Sequence, residues 1–330
     1  MTLQDGFGRR VTYVRVSVTD RCNYRCAYCM PEEGVAAAPR ADVLTFEEVT
    51  RIVQVLASMG TRRVRLTGGE PTVRRELPDL VGRIAGVPGI REVCMTTNGH
   101  LLGELARPLR EAGLTSVNVS VDTLRADRFA AVTRRGDLAR VLAGIEAARE
   151  AGFARIRINA VAMRGMNDDE LGDLCRWAWD RGIVPRFIEW MPMGEGAAYL
   201  PGSFLSAADV RAGIERQTGG RLSPVGFREG QGPARYWRHE PTGAEVGIIA
   251  ALTENFCADC NRVRLTAIGE LHACLARDQA ADLRALLRGG ADDESLRRTI
   301  LAELLDKREG HEFTTEGCGG PRAHMVAIGG

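Results

Sequence analysis

Cys22-Asn23-Tyr24-Arg25-Cys26-Ala27-Tyr28-Cys29 is the stretch on which the fold turns. Its three cysteines follow directly on an alternating apolar run, Val14 to Val18. That spacing places them in a loop just past a strand's C-terminal end, where α/β folds keep their ligands. Thiolates so close together bind soft metals or iron–sulfur clusters. Such clusters usually take four cysteines, so a set of three leaves one iron open to a ligand that is not protein. A zinc site, or buried thiols that merely fall close together, are the plainer alternatives.

Working outward, period-two alternation marks a series of strands: Val11–Val18, Arg63–Thr67, Arg91–Thr97, Ser116–Asp122, Arg155–Val161 and Pro185–Trp190. Helical patterns lie between them. The first starts at Thr45, which forms a capping box with Glu48, and carries Val49, Ile52, Val53 and Leu56 on one face. Others run over Leu77–Ala85, Leu101–Ala112, Leu138–Ala151 and Asp168–Arg181. Successive β-then-α units predict a parallel sheet with right-handed crossovers. Periodicity alone does not choose between an open sheet and a barrel.

The two faces of these strands differ in kind. Val14, Val16 and Val18 alternate with Arg15 and Ser17, and Val64 and Leu66 with Arg65 and Thr67. Thr96, Asn118, Ser120, Arg157 and Asn159 continue the polar face on later strands. Parallel strands are normally buried on both faces, so a polar face implies an internal polar cavity, with helices covering the other side.

After the second strand comes Thr67-Gly68-Gly69-Glu70-Pro71, whose glycines let backbone approach a ligand closely. Together with the Cys-x3-Cys-x2-Cys loop and the aromatic Tyr28 before its last cysteine, it resembles the radical S-adenosylmethionine (SAM) superfamily. The resemblance implies a partial (βα)6 TIM-like barrel, an α/β fold. Cys22, Cys26 and Cys29 would hold a 4Fe–4S cluster whose open iron chelates SAM. Tyr28, Gly69, Ser120 and Met191 would contact SAM.

From Met191 the β-then-α pattern breaks. A second capping box, Ser206 to Asp209, opens a helix, and glycine- and proline-rich sequence follows to about Pro241. Tyr236-Trp237 and Ile248–Leu252 read as short strands. The chain therefore divides into a barrel over residues 1–190 and an extension over 191–330 that closes the barrel's open side. The extension carries a second set, Cys257-Ala258-Asp259-Cys260 and Cys274. Between them, Arg262–Leu265 and Glu270–His272 flank Ile268-Gly269, a hairpin turn signal. A second iron–sulfur cluster is the favoured reading, and a Cys3His zinc site completed by His272 is its competitor.

These two sets, Arg262-Val263-Arg264, Arg186–Pro192 and a final Gly329-Gly330 resemble the GTP 3',8-cyclase family over essentially the whole chain. The family's reaction starts when a 5′-deoxyadenosyl radical takes hydrogen from ribose carbon 3′ of GTP. The product is (8S)-3′,8-cyclo-7,8-dihydroguanosine 5′-triphosphate, in the first step of molybdenum cofactor biosynthesis. By resemblance Arg15, Arg65, Thr96, Arg157, Arg262, Val263 and Arg264 bind GTP, with Arg186 an addition. Arg15, Arg262, Arg264, Gly329 and Gly330 are implied in catalysis, and the second cluster in holding the guanine edge. The family usually has lysine at Arg157 and proline at His324. It also implies an electron donor, a homodimer, and a product passed to cyclic pyranopterin monophosphate synthase.

Composition sets outer bounds. Among 330 residues, 45% are hydrophobic and 26% charged, values ordinary for a globular protein. A net charge of +1 gives no field for nucleic acid, which weighs against a zinc-ribbon nucleic-acid-binding protein. A peptide-modifying radical SAM enzyme is the other rival, and it typically needs more C-terminal cysteines. No apolar run is long enough to span a membrane. The first residues lack a signal-peptide pattern, so the nine cysteines point to metal use in a cytoplasmic protein rather than to disulfides. Cys94 and Cys175 read as buried thiols, and Cys318 has no assigned role. Lys307 is the only lysine, every other long cation being arginine.

Overall fold

A computed structural model describes residues 3–194, 201–227 and 232–329. The six barrel strands are β1 (Tyr13–Ser17), β2 (Arg63–Thr67), β3 (Glu92–Thr97), β4 (Ser116–Ser120), β5 (Arg155–Ala162) and β6 (Val184–Glu189). They pair in parallel and in sequence order. Between them run α1 (Phe46–Ser58), α2 (Leu77–Ala85), α3 (Leu102–Glu111), α4 (Ala126–Thr133), α5 (Leu138–Glu150) and α6 (Leu171–Trp179). The Thr45–Glu48 capping box is formed in full at the head of α1. Val14, Val16, Val64, Leu66, Val93, Met95, Val117 and Val119 are buried against these helices in one core. The polar residues that alternate with them face the concave side.

The extension does not sit apart as a separate layer. It begins with α7 (Ala207–Thr218), opened by the Ser206–Asp209 capping box, and its strands then enlarge the same sheet on both edges. Past β6 lie β9 (Glu245–Ile249), β8 (Arg235–His239) and β7 (Leu222–Phe227); before β1 lie β10 (Arg262–Leu265), β11 (Glu270–His272) and β12 (Ala281–Asp282). The result is one open 12-stranded sheet in the order β12-β11-β10-β1-β2-β3-β4-β5-β6-β9-β8-β7. β9 and β10 extend the parallel run at its two ends, and the outermost strands are antiparallel. This is a partial TIM-like barrel that does not close.

Several elements differ from the sequence reading. The strand expected at Ile248–Leu252 runs over Glu245–Ile249. β7 lies inside the glycine- and proline-rich stretch, and its register slips between Pro224 and Gly226. Proline is tolerated there because β7 is an edge strand. α4, α8 (Leu283–Arg288), α9 (Asp293–Leu305) and α10 (Met325–Ile328) were not anticipated. No described helix is long and apolar enough to cross a membrane.

Candidate active site

The loop after β1 is held by local bonds that explain its sequence. The Cys29 and Met30 amides donate to the Cys26 carbonyl at 2.9 and 3.2 Å, and the Tyr24 amide points at Cys22 Sγ at 3.4 Å. Tyr24 is buried, its hydroxyl 3.0 Å from His100 Nδ1 and its ring edge-on to Phe129. The C-terminal end of α4 supports the loop directly, since Arg25 and Ala27 donate their amides to the Thr133 and Val132 carbonyls. Gly69 packs against the loop's approach: a Cβ there would lie 2.3 Å from the Arg21 carbonyl oxygen. The glycine pair therefore sets the path of the chain into Cys22. Glu70 is buried and accepts from the Thr72 amide and hydroxyl, the Thr97 hydroxyl and the Asn98 amide.

Burial takes the Cys22 thiol up to about 11 and Cys29 up to about 12, and it raises Cys26, which also feels Cys29 and Cys22, while Cys29 feels Cys22. Thiols so disposed give up their protons to a metal group that stabilises the thiolate. Tyr28 sits between them and donates to Asp122 at 2.8 Å. Asp122 itself is pushed up to about 6 by burial.

The second set occupies the opposite end of the barrel. Cys257 and Cys260 precede β10, which runs parallel to β1 with Arg262 level with Tyr13. Cys274 follows β11, which returns antiparallel to the same end. The first set follows the far end of β1, so the two are separated by the strand length, roughly 13 Å plus the loops. Cys257 feels both Cys260 and Cys274, and burial raises its thiol. Cys260 is half-buried, which alone would raise its thiol, yet the charges of Arg262 and Lys307 pull it down to about 6. His272 lies across from Arg264 in the ladder, with Nε2 4.0 Å from Glu270. Among the described residues no three His, Cys, Asp or Glu side chains converge on a single ion. Each set offers three free thiols, the donor chemistry that an iron–sulfur group takes.

Arginines line the lumen between the two ends. Arg264, Arg15 and Arg65 stand on one rung of β10, β1 and β2. Burial, with the like charges of Arg65 and Arg262, draws Arg15 down to about 10, and Arg264 is held well below the usual range by burial and by Arg15 and Arg262. Burial lowers Arg157, and takes Arg186 to about 10. Arginine keeps its proton in proteins, so the wall is cationic. The partners of three of them are neutral oxygens. Arg65 donates to the Tyr13 hydroxyl, the Met95 carbonyl and Thr96 Oγ1, Arg186 to Asn159 Oδ1, and Arg264 to the Gly329 carbonyl. Gathering buried like charges is costly, and an anion with several oxygens relieves that cost. Thr67 Oγ1 and Asn118 Oδ1 are buried in the same lumen with no partner among the described residues, so the cavity also offers unspent hydrogen-bonding atoms. Beneath β5 and β6 a cavity of about 410 Å³ is lined by Arg149, Arg155, Arg157, Arg181 and Tyr236.

The remaining expected residues fall as follows. Ser120 ends β4 opposite Asn159, and Met191 follows β6, half-buried. Val263 turns its side chain into the hydrophobic core opposite the arginines, so only its backbone faces the lumen. Gly329 reaches the lumen beside Ser17 and Thr67. Gly330 lies outside the described residues. Cys94 and Cys175 are buried, and Cys318 is exposed. Sequence reading missed two contributors, α4 beneath the first loop and Glu189. The Glu189 carboxylate accepts from the Ala207, Leu252 and Thr253 amides and the Thr253 hydroxyl, tying the barrel to the extension.

An open parallel barrel with a three-cysteine loop beyond its first strand defines the radical SAM superfamily, whose domain matches residues 16–178. The Molybdenum Cofactor Synthesis C domain matches residues 183–313. The chain belongs to the GTP 3',8-cyclase family. It is 48% identical over 319 residues to the GTP 3',8-cyclase of Pseudomonas putida (strain W619), covering 96% of this chain and 94% of that one. The relative from Pelotomaculum thermopropionicum is 43% identical over 328 residues, covering 99% and 100%. Among solved structures, Streptococcus suis SuiB bound to S-adenosylmethionine superposes with a TM-score of 0.61 at 17% identity, over 87% of this chain and 68% of that one. That likeness shows the fold alone.

Proposed function

We propose that this chain cyclises GTP, joining ribose carbon 3′ to guanine carbon 8 at the start of molybdenum cofactor synthesis. One arrangement carries the reading: two sets of three cysteines at opposite ends of one lumen, with buried arginines on the wall between them. When bound, SAM and the first 4Fe–4S cluster supply a primary carbon radical, and the second cluster supplies a vacant iron for the guanine edge. Cys22, Cys26 and Cys29 would hold the first, and Cys257, Cys260 and Cys274 the second.

The chain's own work is positioning and exclusion of water. Arg15, Arg65, Arg157, Arg262 and Arg264 grip the triphosphate with fixed charge and forked donors. Thr96 and the Val263 backbone complete that wall, and Arg186 extends it. Tyr28, Gly69, Ser120 and Met191 lie at the barrel end where SAM would sit. Gly329 orients Arg264 through its carbonyl and closes the lumen from the side of the first cysteine set; Gly330 shares the catalytic role by family resemblance. No acid–base pair is required for hydrogen abstraction. Residues 1–190 act as the radical-generating barrel and 191–330 as the part that binds and holds the nucleotide. A reductant protein, a cytoplasmic homodimer and delivery of product to cyclic pyranopterin monophosphate synthase complete the reading.

The test is anaerobic incubation with GTP, SAM and dithionite, followed by mass spectrometry. A GTP isomer and 5′-deoxyadenosine are both expected. 5′-Deoxyadenosine without a GTP isomer would remove the substrate assignment and leave the radical SAM assignment standing. Cys22→Ala should abolish SAM cleavage, whereas Cys257→Ala should chiefly impair nucleotide turnover. Cyclisation at full rate in Cys257→Ala would count against a substrate-holding second cluster.

A further inference from the structure

Of the 44 lysines and arginines, one is a lysine, and it is not on the surface. Lys307 follows α9 and is 3% exposed. Its Nζ lies 3.4 Å from Cys260 Sγ and donates to the Arg262 carbonyl at 2.9 Å. The adjacent acid, Asp306, is engaged by Arg277 at 3.3 Å instead. A buried ammonium needs an anion and hydrogen-bond acceptors, and among the described residues the sulfur of Cys260 is the anion that faces this one. Lysine delivers its donors from a single atom, so one side chain can reach a sulfur and a strand carbonyl together.

We propose that Lys307 is the positioning residue of the second cysteine set: its ammonium compensates the Cys260 thiolate, ties it to β10, and raises the reduction potential of the group those cysteines hold. The proposal rests on the reading that this set holds an iron–sulfur cluster. Hydrogen bonds to the ligand sulfurs and nearby charge are the levers by which a protein sets such potentials. Reduction adds a negative charge, and a cation beside a ligand sulfur stabilises the reduced form more than the oxidised one. α9 supplies the rigidity. Asp292 caps it by accepting from the Ser295 amide, and Leu296, Ile300 and Leu304 bury one stripe against the core. Lys307 is thereby delivered to the base of β10 with little freedom of its own. The tie to the Arg262 carbonyl also fixes the strand from which Arg262 and Arg264 project, so the same contact links the cluster's charge to the triphosphate wall.

The experiment is an EPR-monitored redox titration of the full chain, anaerobically reconstituted, as wild type and as Lys307→Met, Lys307→Gln and Lys307→Arg. Iron is counted in each. Wild type with about eight irons and two titrating centres secures the underlying reading; a single centre there would overturn that reading and, with it, this proposal. Given two centres, the second should shift to more negative potential in the Met and Gln variants by at least a tenfold change in its one-electron equilibrium, about 59 mV. The Arg variant should retain most of the wild-type value. The first centre serves as an internal reference and should not move. Unchanged potentials in Met and Gln, or an equal shift in Arg, would overturn the proposal. Should Met and Gln instead lose the second centre's irons, retention by Arg supports the charge role, and equal loss in Arg overturns it.

Discussion

Replacing Gly329 by alanine should uncouple the chain's last turn from its active site while leaving the fold intact. Gly329 has φ +80° and ψ 77° at the end of α10, and a Cβ would stand 2.8 Å from Thr67 Oγ1 and 3.2 Å from Ser17 Cβ. The left-handed conformation costs an alanine about 1–2 kcal/mol, and forcing a methyl into a filled site costs about 1–3 more. What these act against is small. Burying Val326 and Ile328 is worth about 3–6 kcal/mol, and the Arg264 bond to the Gly329 carbonyl about 1.5–3. Ordering Met325 to Gly329 takes back about 5–10. The docked tail therefore stands within a few kcal/mol of release, and a penalty of about 2–5 kcal/mol should empty it, roughly 30-fold or more in population.

The assay pairs product formation with a direct view of the tail. Cyclised GTP should fall at least about 30-fold, while amide exchange across Met325–Ile328 accelerates and the thermal midpoint stays at the wild-type value, because tail release is local. Gly310→Ala is the control, since Gly310 is exposed and a Cβ there meets nothing within 4 Å. Wild-type cyclisation by Gly329→Ala, with exchange showing the tail released, would refute the claim that this carbonyl orients Arg264.

Three further outcomes follow from the contacts above. Gly69→Ala would set a Cβ 2.3 Å from backbone at Arg21, so the first loop must move; iron should drop from about eight toward about four per chain, with SAM cleavage lost. Glu189→Ala strands three amides and a hydroxyl and should cost about 3–5 kcal/mol, read as a large fall in thermal midpoint that Glu189→Gln only partly shares. Asp122 is held at about 6, above its ordinary value of 3.8, by burial. Its folded state binds the proton more tightly, so its contribution is full below the unfolded value and is lost as pH rises through about 6. Wild type should therefore gain roughly 2 kcal/mol relative to Asp122→Asn between pH 7 and pH 4; parallel midpoints across that range would refute the shift.

Much of the barrel was legible because its two faces obey different chemistry. Val14, Val16, Val64 and Leu66 announced the buried side, and Arg15, Ser17, Arg65 and Thr67 the lumen. Capping boxes at Thr45 and Ser206 fixed helix starts because both halves of each box are local in sequence. What stayed hidden depends on partners distant along the chain. α4 has no side-chain cap, and only Phe129, Val132 and Thr133 are buried along it; its purpose, carrying the Cys22–Cys29 loop on its last carbonyls, is invisible locally. β7 was masked by Pro224, which signals a loop unless the strand is known to be an edge. α9 left a readable trace, the Asp292–Ser295 cap and the Leu296, Ile300, Leu304 spacing, which the surrounding glycine and charge obscured.

The arginine bias raised a question that sequence alone could not answer. In a chain that uses arginine for almost every long cation, no single arginine stands out, and any of them can be a solvated surface charge. The structure separates them by burial and register rather than by identity. Arg264, Arg15 and Arg65 share a rung, Arg157 and Arg186 lie on neighbouring strands, and Arg65, Arg157, Arg186 and Arg264 are buried while Arg15 is half-buried. The same reasoning inverts for lysine. The composition that makes an arginine uninformative makes the one lysine conspicuous, and its burial beside Cys260 ties it to the second cysteine set. The lumen's charge is thus arranged along its length: cations crowd the wall, and at one end a cation meets a thiolate. One strand links the two: β10 carries Arg262 and Arg264 and begins two residues after Cys260.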